Sequence, residues 1–102
     1  MKIVLICYAG MSTSLLVNRM KKAASAKNIA ADIVAVSTAD MYEVIEDADV
    51  ILLGPQARYM LEEVKKAAKD KNIPVEVIDQ RIYGMMDGDA VLKMALELVQ
   101  NK

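Results

Sequence analysis

Short, continuous apolar runs alternate along the chain with stretches in which apolar residues recur at helical spacing. Four runs, at 3–6, 31–36, 49–53 and 75–78, are predicted to be strands. Because almost every position in them is apolar, they are typical of parallel strands covered on both faces. The helical spacing predicts helices with apolar positions at Leu16, Met20, Ala23 and Ala24, at Met41, Val44 and Ile45, at Met60, Leu61, Val64, Ala67 and Ala68, and at Val91, Leu92, Ala95, Leu98 and Val99.

The boundaries of these elements carry residues that begin and end helices. Ser37 or Thr38 can cap the short second helix. Asp87 or Asp89 lies near the start of the last helix, and the segment 79–84, after the fourth strand, is predicted to be a loop. No internal repeat, linker or low-complexity segment interrupts the alternation, so residues 1–102 are expected to form one domain.

Four strands joined by helices predict parallel βαβ units with right-handed crossovers. The expected fold is a three-layer α/β structure, with a four-stranded parallel sheet in the order 2-1-3-4 and helices on both faces. In such sheets ligands bind beyond the carboxyl ends of the strands, where the strand order reverses. This order places the first and third strands side by side, so Cys7 is expected beside Gly54.

The composition fits a soluble globular protein. Of 102 residues, 55% are hydrophobic and 26% are charged, and the net charge of −1 gives no general attraction to nucleic acid or anionic lipid. The first apolar run is too short for a signal or membrane-spanning segment, and one cysteine cannot form an internal disulfide, so a cytoplasmic location is expected. The lack of histidine excludes a Cys-His protease pair, a histidine-ligated metal site and a phosphohistidine on this chain. No metal or cofactor is implied, and nothing demands more than a monomer.

The candidate chemistry lies in the stretch CYAGMSTS at 7–14, between the first strand and the first helix. Free backbone N–H groups and the macrodipole make a helix N-terminus an anion site, and the same field favours a thiolate over a thiol. Cys7 is therefore predicted to be an accessible nucleophile. Gly10 lets backbone N–H groups converge, and the hydroxyls of Ser12, Thr13 and Ser14 can donate to oxyanions. No Gly-Lys-Ser/Thr follows, so this is not a Walker loop.

The candidate site residues also have structural interpretations. A lone cysteine can be a small buried hydrophobe, Ser12 can be only the N-cap of the helix, and Ser14 can be only solvated. Three residues after other strands can reach the same rim, namely Gln56, Asp79 and Tyr83. Gln56 can instead stabilise its own loop, and Asp79 can accept hydrogen bonds from loop N–H groups. Tyr83 can pack partly into the core with its hydroxyl exposed to water.

Three segments together resemble one known family: CYAGMSTSLLV after the first strand, ADVILLGPQARYML around the third, and PVEVIDQRIYGMMDG after the fourth. They are similar to the enzyme IIB component of the bacterial phosphoenolpyruvate-dependent sugar phosphotransferase system, of the lactose/cellobiose (chitobiose) branch. The resemblance implies that a phosphohistidine on enzyme IIA phosphorylates Cys7. It also implies that the phosphocysteine then phosphorylates a β-disaccharide bound to the membrane component IIC. The phosphate-binding loop implied by the family consists of Tyr8, Ala9, Gly10, Met11, Ser12 and Thr13.

The first loop also resembles that of low-molecular-weight protein tyrosine phosphatases, whose topology the predicted fold would share. In those enzymes an arginine follows the cysteine after five residues, whereas this chain has Thr13 there. The missing guanidinium removes a bidentate clamp on the oxyanions, and we hypothesise that its absence discourages hydrolysis. A phosphatase-like cysteine hydrolase, with Asp79 as its general acid, is the alternative function. A receiver-like switch is disfavoured because no acidic residue adjoins the end of the first strand.

Flexible methionines lie in or near the rim loops, at Met11, Met85 and Met86. Their thioethers suit a surface that docks two partners in turn, and they can equally well fill gaps under the loops. Arg19 is more typical of a solvated helix face than of a docking patch. Since both partners must reach Cys7, their contacts are expected to overlap.

Overall fold

The computed structural model describes residues 1–7 and 14–101. Its strands are β1 (Lys2–Cys7), β2 (Asp32–Ser37), β3 (Val50–Leu53) and β4 (Val75–Val77). Its helices are α1 (Ser14–Ala26), α2 (Leu61–Lys69), α3 (Gln80–Gly84) and α4 (Gly88–Gln100), with 3-10 turns at Met41–Glu43, Ile45–Asp47 and Pro55–Met60. Within these described ranges no helix is both long enough and apolar enough to cross a bilayer.

The sheet is parallel throughout and has the order β2-β1-β3-β4, which confirms the predicted order. Ile6 pairs with Leu53 of β3, and Cys7 pairs with Ser37 of β2. The Gly54 N–H donates to the Ile6 carbonyl oxygen at 2.9 Å, which extends the pairing of β1 with β3 by one residue. Gly54 therefore lies beside Cys7, as predicted.

Helices cover both faces of the sheet, and alternate residues of β1 divide between two cores. Ile3, Leu5 and Cys7 belong to a core shared with α1 and α4. Val4 and Ile6 belong to a second core, shared with α2 and the 3-10 turns. Each of these five side chains is at most 4% exposed. The strand is a continuous apolar run because it has no solvent face, and the expected three-layer α/β architecture is confirmed.

α1 and α4 pack so closely that only a glycine fits at their contact. A Cβ built on Gly88 would lie 2.6 Å from the Arg19 carbonyl carbon and 2.7 Å from the Met20 nitrogen. These are backbone atoms, which cannot move unless α1 moves with them. Asp87 caps α4, its carboxylate accepting from the Ala90 N–H at 3.1 Å. The close packing of Gly88 against α1 and the N-cap formed by Asp87 together fix the start of α4.

Three helices end in turns that contain a residue with positive φ. The φ angles are 56° at Asn28, 55° at Asn72 and 52° at Met86. In each turn, that residue and the next one donate to carbonyl oxygens of the last helical turn, which is the pattern of a Schellman cap. Asparagine tolerates this left-handed region, whereas at Met86 it costs about 1 kcal/mol. The Met86 turn leads from α3 into α4.

Two local predictions are wrong. The segment 79–84 is not a loop, because Asp79 accepts from backbone N–H groups at its start and the residues that follow form α3. Neither Ser37 nor Thr38 caps the next segment, whose N-cap position is occupied by Asp40. The Ser37 hydroxyl instead donates to the Asp40 carboxylate at 3.2 Å. Without a side-chain cap, the chain forms two 3-10 turns in place of the predicted helix.

Replacing Gly88 with alanine is expected to lower the free energy of unfolding by about 2 kcal/mol, because the added methyl group must push α4 away from the backbone of α1. Gly84→Ala is the matched control. Nothing lies within 4 Å of a Cβ built on Gly84, so this variant should stay within about 0.5 kcal/mol of the wild type. Urea denaturation followed by circular dichroism measures both. Equal stability of the two variants would contradict the packing at Gly88.

Candidate functional site

The end of β1 brings Cys7 into a cluster with residues that follow β3 and β4. Measured from the position of a Cβ built on Gly54, Cys7 Sγ lies at 3.4 Å, Tyr83 Cε1 at 3.6 Å and Gln56 Oε1 at 3.7 Å. Three side chains from separate segments thus surround one point. Of the sequence-predicted site residues, the structure brings Cys7, Gln56 and Tyr83 together here.

Gly54 leaves the space on which this cluster converges. It follows β3 in an extended conformation, with φ −63° and ψ 152°, and Pro55 then begins a 3-10 turn. Any residue can adopt this backbone conformation, so the backbone does not require glycine here. A Cβ would touch all three surrounding atoms, and a larger side chain would have to displace them. A methyl group would thus fit in ordinary van der Waals contact, and only a larger side chain would disturb the cluster.

Tyr83 reaches the sulfur because of the way α3 begins. Oδ2 of Asp79 accepts from the N–H groups of Arg81 at 3.0 Å and Ile82 at 3.3 Å, which fixes the first turn. Tyr83 is the next residue, and its side chain is buried. Its hydroxyl donates to Cys7 Sγ at 4.0 Å. Asp79 thus orients the helix that carries the tyrosine.

The thiol of Cys7 is desolvated, since only 4% of the residue is exposed. Burial raises the pKa of Cys7, and this effect exceeds the lowering by hydrogen bonds from the Tyr83 hydroxyl and the Gly54 backbone. The expectation of an accessible thiolate is therefore wrong for this conformation, in which the thiol stays protonated at neutral pH. The physical reason is burial, because Cys7 belongs to the apolar core shared with α1 and α4.

The hydroxyl of Tyr83 keeps its proton throughout the physiological pH range. Burial, followed by the charge of an ionised Cys7, raises the pKa of Tyr83 to about 12. The hydroxyl is therefore a permanent donor toward the sulfur. In the part of the chain that the structure describes, every buried side-chain nitrogen and oxygen has a hydrogen-bond partner. The tyrosine hydroxyl fits this rule, with the sulfur as its partner.

The other predicted site residues are exposed or lie outside the described ranges. Ser14 is exposed at the start of α1. Gln56 is also exposed, with its amide oxygen turned to the Gly54 cluster. Asp79 is occupied as the N-cap of α3. Phosphate contacts by these three residues stay predictions. The predicted loop residues Tyr8, Ala9, Gly10, Met11, Ser12 and Thr13 lie outside the described residues.

Arg19 ties α1 to the turn between α3 and α4. Its Nη1 donates to the carbonyl oxygens of Met85 at 3.2 Å and Met86 at 3.1 Å. Met86 is partly buried against the core of α1 and α4, whereas Met85 is 60% exposed. Met86 therefore fills a gap, Met85 presents its thioether to solvent, and Arg19 has a structural role beyond a solvated helix face.

The sequence pattern places Tyr83 on the rim without indicating its contact with Cys7. The useful signal is Asp79, a residue type that favours the N-cap of a helix. A short helix after it places residue 83 about one turn further on, so the side chain can return toward the strand ends. The contact itself joins residues 76 positions apart, which no local pattern reveals.

Comparisons with known proteins all point to one family. A family model described as "PTS system, Lactose/Cellobiose specific IIB subunit" matches residues 2–94. The oligo-beta-mannoside-specific EIIB component of Bacillus subtilis is 45% identical over 101 residues, which cover 99% of this chain and 98% of that protein. The galactose-specific EIIB component of Lactococcus lactis is 46% identical over 102 residues, covering 95% of this chain and 94% of that one. A solution structure of a cellobiose-specific phosphotransferase IIB component from Borrelia burgdorferi is 44% identical, with a TM-score of 0.83, and the match covers 100% of this chain and 94% of that one.

The raised pKa of Cys7 should make stability depend on pH. The unfolded chain loses the thiol proton near the ordinary pKa of about 8.5, below the pKa in the folded protein. Between the two pKa values the unfolded state binds fewer protons, so the free energy of unfolding falls as pH rises. Urea titrations from about pH 8 to 9.5 should show the wild type losing stability faster than Cys7→Ser, which has no thiol. Parallel losses would contradict the raised pKa.

Proposed function

Because the chain belongs to the lactose/cellobiose-specific IIB family of the phosphotransferase system, we propose that it is a phosphocarrier that holds the phosphoryl group on Cys7. The donor is a phosphohistidine of enzyme IIA, and the acceptor is a β-disaccharide bound to the membrane component IIC. The observation that carries this proposal is the position of the chain's single cysteine, at the carboxyl end of the interior strand β1.

Sulfur suits a relay because a thiolate both attacks and leaves readily. One partner can therefore make the bond to phosphorus and the next can break it. The absence of histidine supports sulfur as the site, since no imidazole of this chain can carry the group. Residues 8–13, between Cys7 and α1, are proposed to bind the phosphoryl oxygens through backbone N–H groups and hydroxyls.

A protonated thiol is compatible with both transfers, because each proton has an acceptor. In the first transfer, the N–P bond of phosphohistidine breaks and an S–P bond forms at Cys7, while the thiol proton passes to the leaving imidazole nitrogen. In the second transfer, the S–P bond breaks and an O–P bond forms at the sugar hydroxyl, whose proton returns to the sulfur. The thiol is restored after each cycle, so no external acid or base is consumed.

Both partners must reach the same sulfur, so IIA and IIC are proposed to bind overlapping surfaces and to exclude each other. Leu15 near the start of α1 is 45% exposed, and Met85 after α3 is 60% exposed. These apolar side chains are proposed as contacts for both partners. The relay from phosphoenolpyruvate operates in the cytoplasm, and the carrier is proposed to act there as a monomer.

The identity of the sugar is proposed only as a class. Relatives that are named for oligo-beta-mannoside, galactose and cellobiose are 45%, 46% and 44% identical to this chain, respectively. Similarity is thus nearly independent of the sugar in the name, which supports selection of the sugar by IIC. A β-disaccharide of the cellobiose, chitobiose or lactose type is the proposed acceptor.

A phosphatase-like hydrolase is not favoured by the residues at the rim. Asp79, the candidate general acid, accepts from two backbone N–H groups as the N-cap of α3. Thr13 stands where the phosphatases have arginine. Without a guanidinium clamp, attack of water on a phosphocysteine receives less charge stabilisation.

Phosphorylation of Cys7 is the direct test. Incubation with phosphoenolpyruvate, the general phosphotransferase proteins and IIA is expected to add one phosphoryl group at this residue, which mass spectrometry of peptides locates. Membranes that contain IIC and a β-disaccharide should then move the label to the sugar. Cys7→Ser, checked for folding by circular dichroism, should accept no stable label at this position and should support no sugar phosphorylation.

The carrier function would be contradicted by label on another residue, or by fast release of free phosphate in the absence of IIC. A third contradictory result would be hydrolysis of a small aryl phosphate at a rate comparable with transfer from phospho-IIA.

A further inference from the structure

The Tyr83 hydroxyl donates a hydrogen bond to the sulfur of Cys7, a residue 76 positions earlier in the chain. We propose that this hydroxyl stabilises the Cys7 thiolate in both phosphoryl transfers and holds the sulfur beside Gly54. The proposal rests on the carrier function above and adds to it a residue that acts on the reacting atom itself. The effect of Tyr83 can be tested separately from the carrier function, because ionisation of the Cys7 thiol is measurable without any partner.

Packing leaves the hydroxyl little freedom to choose another acceptor. Tyr83 is buried in the core that α1 and α4 share. Its ring and the sulfur of Cys7 both lie against Gly54, at 3.6 Å and 3.4 Å from a Cβ built there. A buried hydroxyl needs a partner, and the sulfur supplies it. At 4.0 Å the bond to the neutral thiol is long. It becomes charge-assisted when the sulfur ionises, so it favours the thiolate over the thiol.

The position of the hydroxyl is set from both ends of α3. At the start of the helix, Asp79 accepts from two backbone N–H groups. At the other end, Arg19 donates to the carbonyl oxygens of Met85 and Met86. Tyr83 lies between these two attachments. The hydroxyl is therefore held toward the sulfur by the backbone of the helix as well as by its own packing.

Tyr83 acts as a donor and does not give up its proton. The pKa of its hydroxyl is about 12, so it stays neutral at the pH at which the thiol reacts. A general acid that must release a proton near neutral pH needs a much lower pKa. The proton balance of the two transfers is thus unchanged: the thiol proton still passes to the imidazole nitrogen, and the sugar proton still returns to the sulfur.

The same hydrogen bond serves attack and departure. When the sulfur attacks phosphohistidine, negative charge on it must be stabilised until the S–P bond takes up the electron pair. When the sugar hydroxyl attacks phosphocysteine, the electron pair of the S–P bond returns to the sulfur and the charge reappears. A stabilised thiolate is a slightly weaker nucleophile, yet more of it is present and it leaves faster. The larger thiolate population and the faster departure favour transfer at neutral pH.

Tyr83→Phe removes the hydroxyl while keeping the ring. The pH dependence of alkylation of Cys7 by iodoacetamide is expected to shift upward by about one pH unit, as fits the loss of a hydrogen bond to a charged group. Transfer from phospho-IIA at neutral pH should fall by about three- to tenfold and recover as pH rises. Tyr42→Phe is the matched control. It removes a tyrosine hydroxyl that donates to the Glu63 carboxylate on the exposed surface, and it should leave the alkylation midpoint unchanged.

An unchanged alkylation midpoint in folded Tyr83→Phe would overturn the proposal. A second measurement uses the wild-type chain and so does not depend on the folding of the variant. With ring-labelled tyrosine, the Tyr83 signal in NMR spectra should titrate with the alkylation midpoint of Cys7, and this titration should vanish in Cys7→Ser. A Tyr83 NMR signal that does not change as Cys7 ionises would likewise overturn the proposal. If the wild type accepts no phosphoryl group from IIA, the carrier function fails, and the alkylation midpoint still decides the contact of Tyr83 with the sulfur.

Discussion

The register between β1 and β3 is the constraint on which the rest of the structure depends. Ile6 opposite Leu53, with the Gly54 N–H on the Ile6 carbonyl oxygen, places the sulfur of Cys7 beside a residue that has no side chain. Neighbouring parallel strands lie about 4.8 Å apart, so each position along the ladder has defined neighbours. A slip of β1 by one residue would turn Cys7 toward the core of α2 and away from Tyr83. The apolar faces of two cores oppose that slip, since it would also exchange every side chain of β1 between them.

The architecture follows from the sequence because the signals that define it are local. Continuous apolar runs predict strands without a solvent face, and the helical spacing between them predicts the covering layers. The strand order and the position of Cys7 beside Gly54 are confirmed on this basis. The helix α3 is missed, because the segment 79–84 is predicted to be a loop in which Asp79 accepts from N–H groups, whereas Asp79 is the N-cap of a helix. The roles of residues 8–13 stay predictions.

The state of the sulfur shows what local patterns leave out. A helix N-terminus after the strand favours a thiolate, yet Cys7 is buried in a core that also contains Tyr83, Val91 and Leu92, which are distant in sequence. Burial outweighs the hydrogen bonds that reach the sulfur and keeps its proton in place. The chain thus holds the sulfur in a neutral form, with the Tyr83 hydroxyl as a hydrogen-bond donor toward it. The protonation state of the sulfur therefore depends on the folded structure around it and not only on the motif that contains the cysteine.

Burial of the sulfur also has a consequence for the lifetime of the protein in an oxidising cell. Peroxides and disulfides are attacked by the ionised form of cysteine far more readily than by the neutral one, and oxidation beyond the sulfenic acid is largely irreversible. A sulfur that keeps its proton and is screened from solvent is therefore consumed slowly by such oxidants. The chain has no second cysteine that could resolve a sulfenic acid into an internal disulfide. Burial thus protects the Cys7 sulfur from oxidation in a chain that has no second cysteine to resolve a sulfenic acid.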